Sequence, residues 1–218
     1  MNRCHFAALS FSVLTFAASA GQVRAQAMHP KPTLGVLAGL DLATLGGSDV
    51  SNAGSRTGLS IGGFATFHVT NEFGIEPELL FTQRGAHESS GGSDITLKLD
   101  YIDVPVLARY DLHLQNSTVR PFFLAGPTFS FQISCDAEES GDGSSVSESC
   151  DDLNNQTEGS FSKKSFDTGA TLGAGVGFPV DKKMNLSFSV RYTHGLIDTF
   201  DNADAKNRTW SFMAGLTF

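Results

Sequence analysis

From Leu186 to Thr193 the chain alternates without a break, with Leu186, Phe188, Val190 and Tyr192 on one side and Ser187, Ser189, Arg191 and Thr193 on the other. The pattern returns at the end of the sequence. Trp210, Phe212, Ala214, Leu216 and Phe218 take one face, and Thr209, Ser211, Gly215 and Thr217 take most of the other. A period of two marks a pleated strand, because successive side chains leave it on opposite faces. A strand so apolar on one face needs a cover. In a soluble protein that cover is a second layer of structure; in a membrane barrel it is lipid. The second case is the one the rest of the chain supports, and it makes Leu186, Phe188, Val190, Tyr192, Trp210, Phe212, Leu216 and Phe218 lipid-facing.

The same alternation runs back through the chain. Leu34, Val36, Ala38, Leu40 and Leu42 share one face, and Gly35, Gly39 and Asp41 the other, with Leu37. Phe73, Ile75, Pro77, Leu79 and Phe81 stand opposite Gly74, Glu76, Glu78, Thr82 and Arg84. Two carboxylates on one face of a strand whose other face is wholly apolar require a polar interior, as in a small barrel with a side-chain-filled lumen. Ile102, Val104 and Val106 likewise oppose Asp103, with Arg109 further along on the same inward side. Just before them Leu97, Leu99 and Tyr101 reverse the parity, which predicts a bulge or a membrane boundary near Tyr101. Phe123, Ala125, Phe129, Phe131 and Ile133 read as outward. In the next strand Asp167 and glycines at 169, 173, 175 and 177 face inward.

Glu76, Glu78, Arg84, Asp103, Arg109, Asp167 and Arg191 therefore all point into the lumen. Enclosed charges are costly unless paired. They predict a polar network that blocks free passage, with Glu78, Arg109 and Arg191 near its centre. A narrow ion path is the alternative reading.

Long connections near 43–56, 85–94, 134–163 and 198–207 alternate with short ones near 70–71, 111–118 and 180–184. Outer-membrane barrels pair long external loops with short periplasmic turns in this way. Beyond the N-terminal leader, no stretch approaches the ~20 continuous apolar residues of a membrane helix, so the chain can enter a membrane only as a closed sheet. The expected fold is all-β: an eight-stranded antiparallel transmembrane β-barrel of up-and-down connection.

Residues 1–25 read as a cleaved signal peptide: Arg3, an apolar run from Phe6 to Ala18, then small residues. Cleavage after Ala20 or Ala25 fits, with Ala25 preferred, which leaves 26–218 as the barrel domain. Cys4 leaves with the leader. Removal of Arg3 and Arg24 takes the net charge from −8 to −10. Between Ser134 and Ser162 the acids Asp136, Glu138, Glu139, Asp142, Glu148, Asp151, Asp152 and Glu158 occur with no lysine or arginine. That balance excludes nucleic acid as a partner class.

Cys135 and Cys150 bracket this acidic loop on the oxidising side of the cell, where thiols pair. A disulfide is expected between them, with free thiols or a metal site as the alternatives. The acids lack the spacing of an EF-hand or a glycine–aspartate repeat, so a solvated loop is preferred to a calcium site and no metal is assigned. The G-x-S-x-G run at Gly58–Gly62 lies inside an alternating strand and not at a strand-to-helix turn, so it is no nucleophile elbow. Gly173, Gly175 and Gly177 precede no helix and make room in a crowded lumen instead of cradling a dinucleotide. His194 with Asp198 is the only pair reminiscent of a membrane-barrel hydrolase. No enzymatic activity and no cofactor are assigned.

Several stretches resemble the small outer-membrane barrels of the PorT-like type, often labelled "porin family". They are Glu78–Gly85 (ELLFTQRG), Tyr101–Tyr110 (YIDVPVLARY), Arg120–Pro127 (RPFFLAGP), Asp167-Thr168-Gly169, Arg191-Tyr192 and the closing Gly215–Phe218. The resemblance implies the bacterial outer membrane, and in Phe218 a signal for the barrel-assembly machinery. It implies little about task. The sequence is read as a barrel with a structural or interaction role, in adhesion, binding of an external partner, or service to envelope assembly or secretion. A small passive channel is the alternative; an outer-membrane hydrolase or a secreted lipocalin-like barrel ranks below it.

Overall fold

The computed structural model describes residues 31–46, 54–90, 93–141, 144–150, 165–181, 183–197 and 206–218. The expected signal peptide, 1–25, lies outside the described residues, as do Asp142, Asp151, Asp152, Glu158 and Asp198. Strands form at Thr33–Gly46 (β1), Gly54–His68 (β2), Phe73–Ser90 (β3), Ser93–Asp111 (β4), Arg120–Gly141 (β5), Ser144–Ser149 (β6), Phe166–Pro179 (β7), Asn185–Gly195 (β8) and Lys206–Thr217 (β9). Each pairs antiparallel with its neighbour in sequence, β7 taking β5 as partner, and β9 returns to β1. Eight strands thus close a barrel. β6 stands apart and pairs only with the far end of β5.

Closure fixes which side of each strand is inside. Phe188, Val190, Trp210, Phe212 and Phe218 are exposed on the outer wall, while Leu186, Tyr192 and Leu216 on the same face are half-buried. Tyr192 lies opposite Trp210 in the β8–β9 register, with ring centroids 4.9 Å apart. Phe131 and Phe166 pair at the end of the β5–β7 ladder at 5.3 Å. At the opposite end of the wall stand Phe73, Tyr110, Phe178 and Phe218. Two aromatic levels flanking an aliphatic band are the girdles of a membrane barrel.

The strands are unequal in height. β3, β4 and β5 contain 18, 19 and 22 residues, against 11 and 12 in β8 and β9. This corrects the sequence-based boundaries. Residues 85–90 and 93–94, expected in a loop, continue β3 and β4 as a ladder running to Ser90↔Ser93. The expected loop at 134–163 begins as strand: β5 runs on to Gly141 and turns back as β6. Above Phe131, where β7 leaves β5, the sheet therefore continues as an open extension of β3, β4, β5 and β6, with β2 bordering β3 as far as Gly54↔His87.

The reversed parity near Tyr101 has its cause in β5. Asp100 pairs with Ser134 but Tyr101 with Gln132, so Ile133 is an extra residue bulged out of the ladder. β4 keeps its own alternation, and Leu99 and Tyr101 point inward with Asp103. The bulge flips β5 beyond it and turns Cys135 inward against them. Cys135 and Cys150 are joined by a disulfide with Cα atoms 5.5 Å apart. Both are buried in one cluster with Leu99 and Tyr101. Gly85, at φ 145°, sits in the same extended region where a side chain would run into the Leu97 carbonyl, so only glycine fits there.

Candidate functional site: a lumen of three ionic rungs

Inward residues of alternate positions stack in levels up the barrel. The middle rung is a single pair. Arg191 Nη1 donates to both carboxylate oxygens of Glu78 at 2.7 and 2.9 Å, across the lumen from β8 to β3. Its Nε donates to Ser189 at 3.2 Å. Glu78 and Arg191 are 3% and 5% exposed, so neither charge reaches water and each depends on the other. Glycine makes room for them: a Cβ at Gly173 would stand 3.0 Å from the Arg191 side chain, and one at Gly175 would strike the Phe122 ring.

The rung at the short-turn end gathers Glu76, Arg109 and Asp111. Thr66 Oγ1 donates to Glu76 Oε2 at 2.6 Å, and Arg109 Nη1 donates to the same oxygen at 3.1 Å. Arg109 also donates from Nε and Nη2 to Asp111 at 3.0 Å, and its guanidinium lies 3.9 Å over the Phe122 ring. This position corrects the expectation that Arg109 sits with Glu78 and Arg191 at the centre. It lines a cavity of about 200 Å³ in the mouth of the barrel, with Thr66, His68, Asp111, His113 and Arg120. Between the middle and outer rungs runs a belt of hydroxyls, in which Thr171 bonds Thr128 at 2.6 Å and Thr193 at 2.8 Å. The space left there is about 30 Å³, room for a water or two.

The outer rung holds Arg84, Asp103, Asp41 and Asp167. Arg84 pairs with Asp103 and donates to Ser130 at 3.3 Å. The Tyr101 ring covers its guanidinium at 5.1 Å. Ser60 donates to Asp41, and Asn207 donates to Asp167 at 2.8 Å. Unlike the other two, this rung is incompletely satisfied. One oxygen each of Asp41, Asp103 and Asp167 lacks a hydrogen-bond partner, as do Gln132 Oε1, Thr209 Oγ1 and Arg84 Nε.

Of the residues expected in the lumen, Glu76, Glu78, Arg84, Asp103, Asp167 and Arg191 are buried and Arg109 is part-buried. They form three separate groups in place of one centre. Sequence reasoning missed Asp41 as a member, although its inward parity was visible. It also missed Asp111 and Asn207, which fell in stretches read as connections, and Tyr101, whose apolar neighbours hid its role. Ser60, the middle of the G-x-S-x-G run, is buried within β2 and bonded to Asp41. Among the described residues, no group of three or more His, Cys, Asp or Glu side chains could hold a metal ion.

The family described as "Outer membrane protein beta-barrel domain" matches the chain over residues 21–201. No curated protein matches it. Among solved structures it is similar to Neisserial surface protein A, with 19% identity over 84% of this chain and 95% of that one and a TM-score of 0.49. It is also similar to Ail, the attachment invasion locus protein of Yersinia pestis, crystallised with the heparin analogue sucrose octasulfate. There the identity is 19%, the coverage 87% and 100%, and the TM-score 0.43. With outer membrane protein W of E. coli the values are 16%, 88% and 100%, and 0.42.

Proposed function

The chain belongs to the family of outer membrane protein beta-barrel domains, and from that premise we propose that it is a sealed barrel whose work is done by the sheet extending outside the membrane. The observation that carries this reading is the inequality of the strands. A tilted transmembrane strand needs ~9–11 residues, whereas β3, β4 and β5 contain 18, 19 and 22. The surplus stands at the end opposite the short turns, which is the cell exterior in barrels of this kind. The role is structural or interactive: adhesion, capture of an external partner, or service to envelope assembly or secretion. What supports a sealed lumen is the Glu78–Arg191 pair across its waist, with the hydroxyl belt packed against it.

The reading makes two demands. Reconstituted in a planar bilayer, the protein should carry no steady ion current; a sustained single-channel conductance would install the passive channel in its place. Trimming the β3–β4 and β5–β6 hairpins to the height of β8 should leave a folded barrel that no longer co-purifies with its partners in mild detergent. Co-purification unchanged by the trimming would move the work to the wall.

Leu186, Phe188, Val190, Tyr192, Trp210, Phe212, Leu216 and Phe218 are proposed to touch acyl chains. The chain has one tryptophan, so brominated lipid tails should quench its fluorescence strongly, while an aqueous quencher should have little effect. The mature chain is proposed to begin at Gln26, which intact-mass measurement of membrane-extracted protein would show. The closing Phe218 supports delivery by the barrel-assembly machinery, and the ELLFTQRG and YIDVPVLARY motifs support a place among PorT-like barrels.

A further inference from the structure

The outer wall differs in charge on its two sides above the aromatic level. On the tall side Lys98 of β4 is paired with Glu138 and lies opposite Asp136 in the register. On β9, across the barrel from β4, Arg208 and then Lys206 follow Trp210 upward on the outer face. Arg208 is exposed and has no ion pair with any described acid. Its side chain leans across onto β1, where the guanidinium covers Gly46 and an added Cβ would stand 2.5 Å from Cζ. His194 is its neighbour in the β8–β9 register, with Nδ1 3.4 Å from the Tyr192 hydroxyl. Two cations, an imidazole and the Tyr192–Trp210 ring pair thus share one patch. Height decides what that patch meets. Phe218 closes the wall at the short-turn end, and Arg208 precedes it by ten residues. At ~3.3 Å per residue and a tilt of ~40°, ten residues climb about 25 Å, the height of the apolar band of a membrane barrel. Arg208 therefore stands at headgroup level, with Trp210 one step below it in the aromatic belt.

We propose that Arg208, with Lys206 and His194, binds the phosphate of an outer-leaflet lipid whose acyl chains lie along the wall beneath Tyr192 and Trp210. An exposed guanidinium without an acid, held at headgroup level, attracts an anion, and phosphate oxygens match its planar fork of donors. A lipid is favoured over free phosphate because the apolar wall continues directly below the cations, where Trp210, Phe212 and Val190 are exposed. The acids of the tall side, Asp136 and Glu138, repel the same headgroup, so binding is confined to β1, β8 and β9. That Trp210 meets lipid is taken from the proposed function; the phosphate, and the side of the barrel that holds it, go beyond it.

Lipid A, a phosphorylated glycolipid, is the probe. Added to the whole barrel in detergent, it should shift the emission of the single tryptophan and survive as a one-to-one complex in native mass spectrometry. Dephosphorylated lipid A should bind about tenfold more weakly, and so should lipid A with the Arg208→Gln barrel. A Lys98→Gln barrel should bind as the parent does. Equal affinity for the two lipids, or parental affinity in Arg208→Gln, would overturn the proposal. So would inorganic phosphate that displaces lipid A at equal concentration, since the ligand would then be a free anion. Brominated tails should quench Trp210 with or without this site, so a missing phosphate dependence with quenching intact overturns the site and leaves the lipid-facing wall standing.

Discussion

The middle and outer rungs of the lumen are built from the same residue types and behave as opposites. In the middle rung Glu78 and Arg191 meet in a two-oxygen contact, and neither leaves a buried polar atom unpartnered. In the outer rung three carboxylates surround Arg84, and every acid keeps one free oxygen. The difference follows from what each must do. A pair at the waist closes the lumen and ties β3 to β8 across its width, so full mutual satisfaction is what stabilises it. The outer rung lies under the external sheet, where Arg84 is shared among Asp103, Asp41 and Asp167 and full pairing of every oxygen is not reached. One rung is a fully satisfied clamp and the other an incompletely satisfied cluster.

That contrast can be broken by substitution. Arg191→Met should have the largest effect, because it strands the Glu78 carboxylate in the lumen. A loss of about 3–5 kcal/mol is expected for removing one member of a buried pair, read as a fall in the urea midpoint of barrels folded in liposomes. Cys135→Ser comes next. The bridge spans 15 residues and contributes about 3 kcal/mol in the chain-entropy picture, so the variant should unfold earlier and gain protease cleavage between β5 and β7 while the wall stays protected. Asp167→Asn should be mildest, within about 1 kcal/mol of the parent. It removes a buried carboxylate charge and leaves Asn207 an oxygen to bond. If Asp167→Asn cost as much as Arg191→Met, the two rungs would be equivalent in what they contribute to the fold.

The alternation of Leu186 to Thr193 and Trp210 to Phe218 was sufficient to read the wall, and the parity of Glu76, Glu78, Asp103 and Asp167 to read the interior. Both depend only on the pleat, which repeats every two residues wherever the strand lies. Strand ends were less legible. The serine- and glycine-rich run near 85–94 has the composition of a loop, yet it continues β3 and β4, because its backbone groups find partners in a ladder already started below. Composition reports local preference, and here the neighbouring strand overrode it. Asp111 and Asn207 were missed for the same reason, since both sit at strand ends that composition assigned to connections.

The sequence by itself determined which face of most strands is apolar, that the opposite face carries charge, and that Cys135 and Cys150 are available to pair. These are properties of period, residue type and compartment, and none needs a partner in space. Only the tertiary structure decided that Arg191 finds Glu78, 113 residues away, that Arg109 turns instead to Glu76 and Asp111, and that one bulged residue, Ile133, swings the disulfide inward. Those outcomes depend on the register and closure of eight strands taken together, which a single strand's pattern does not contain.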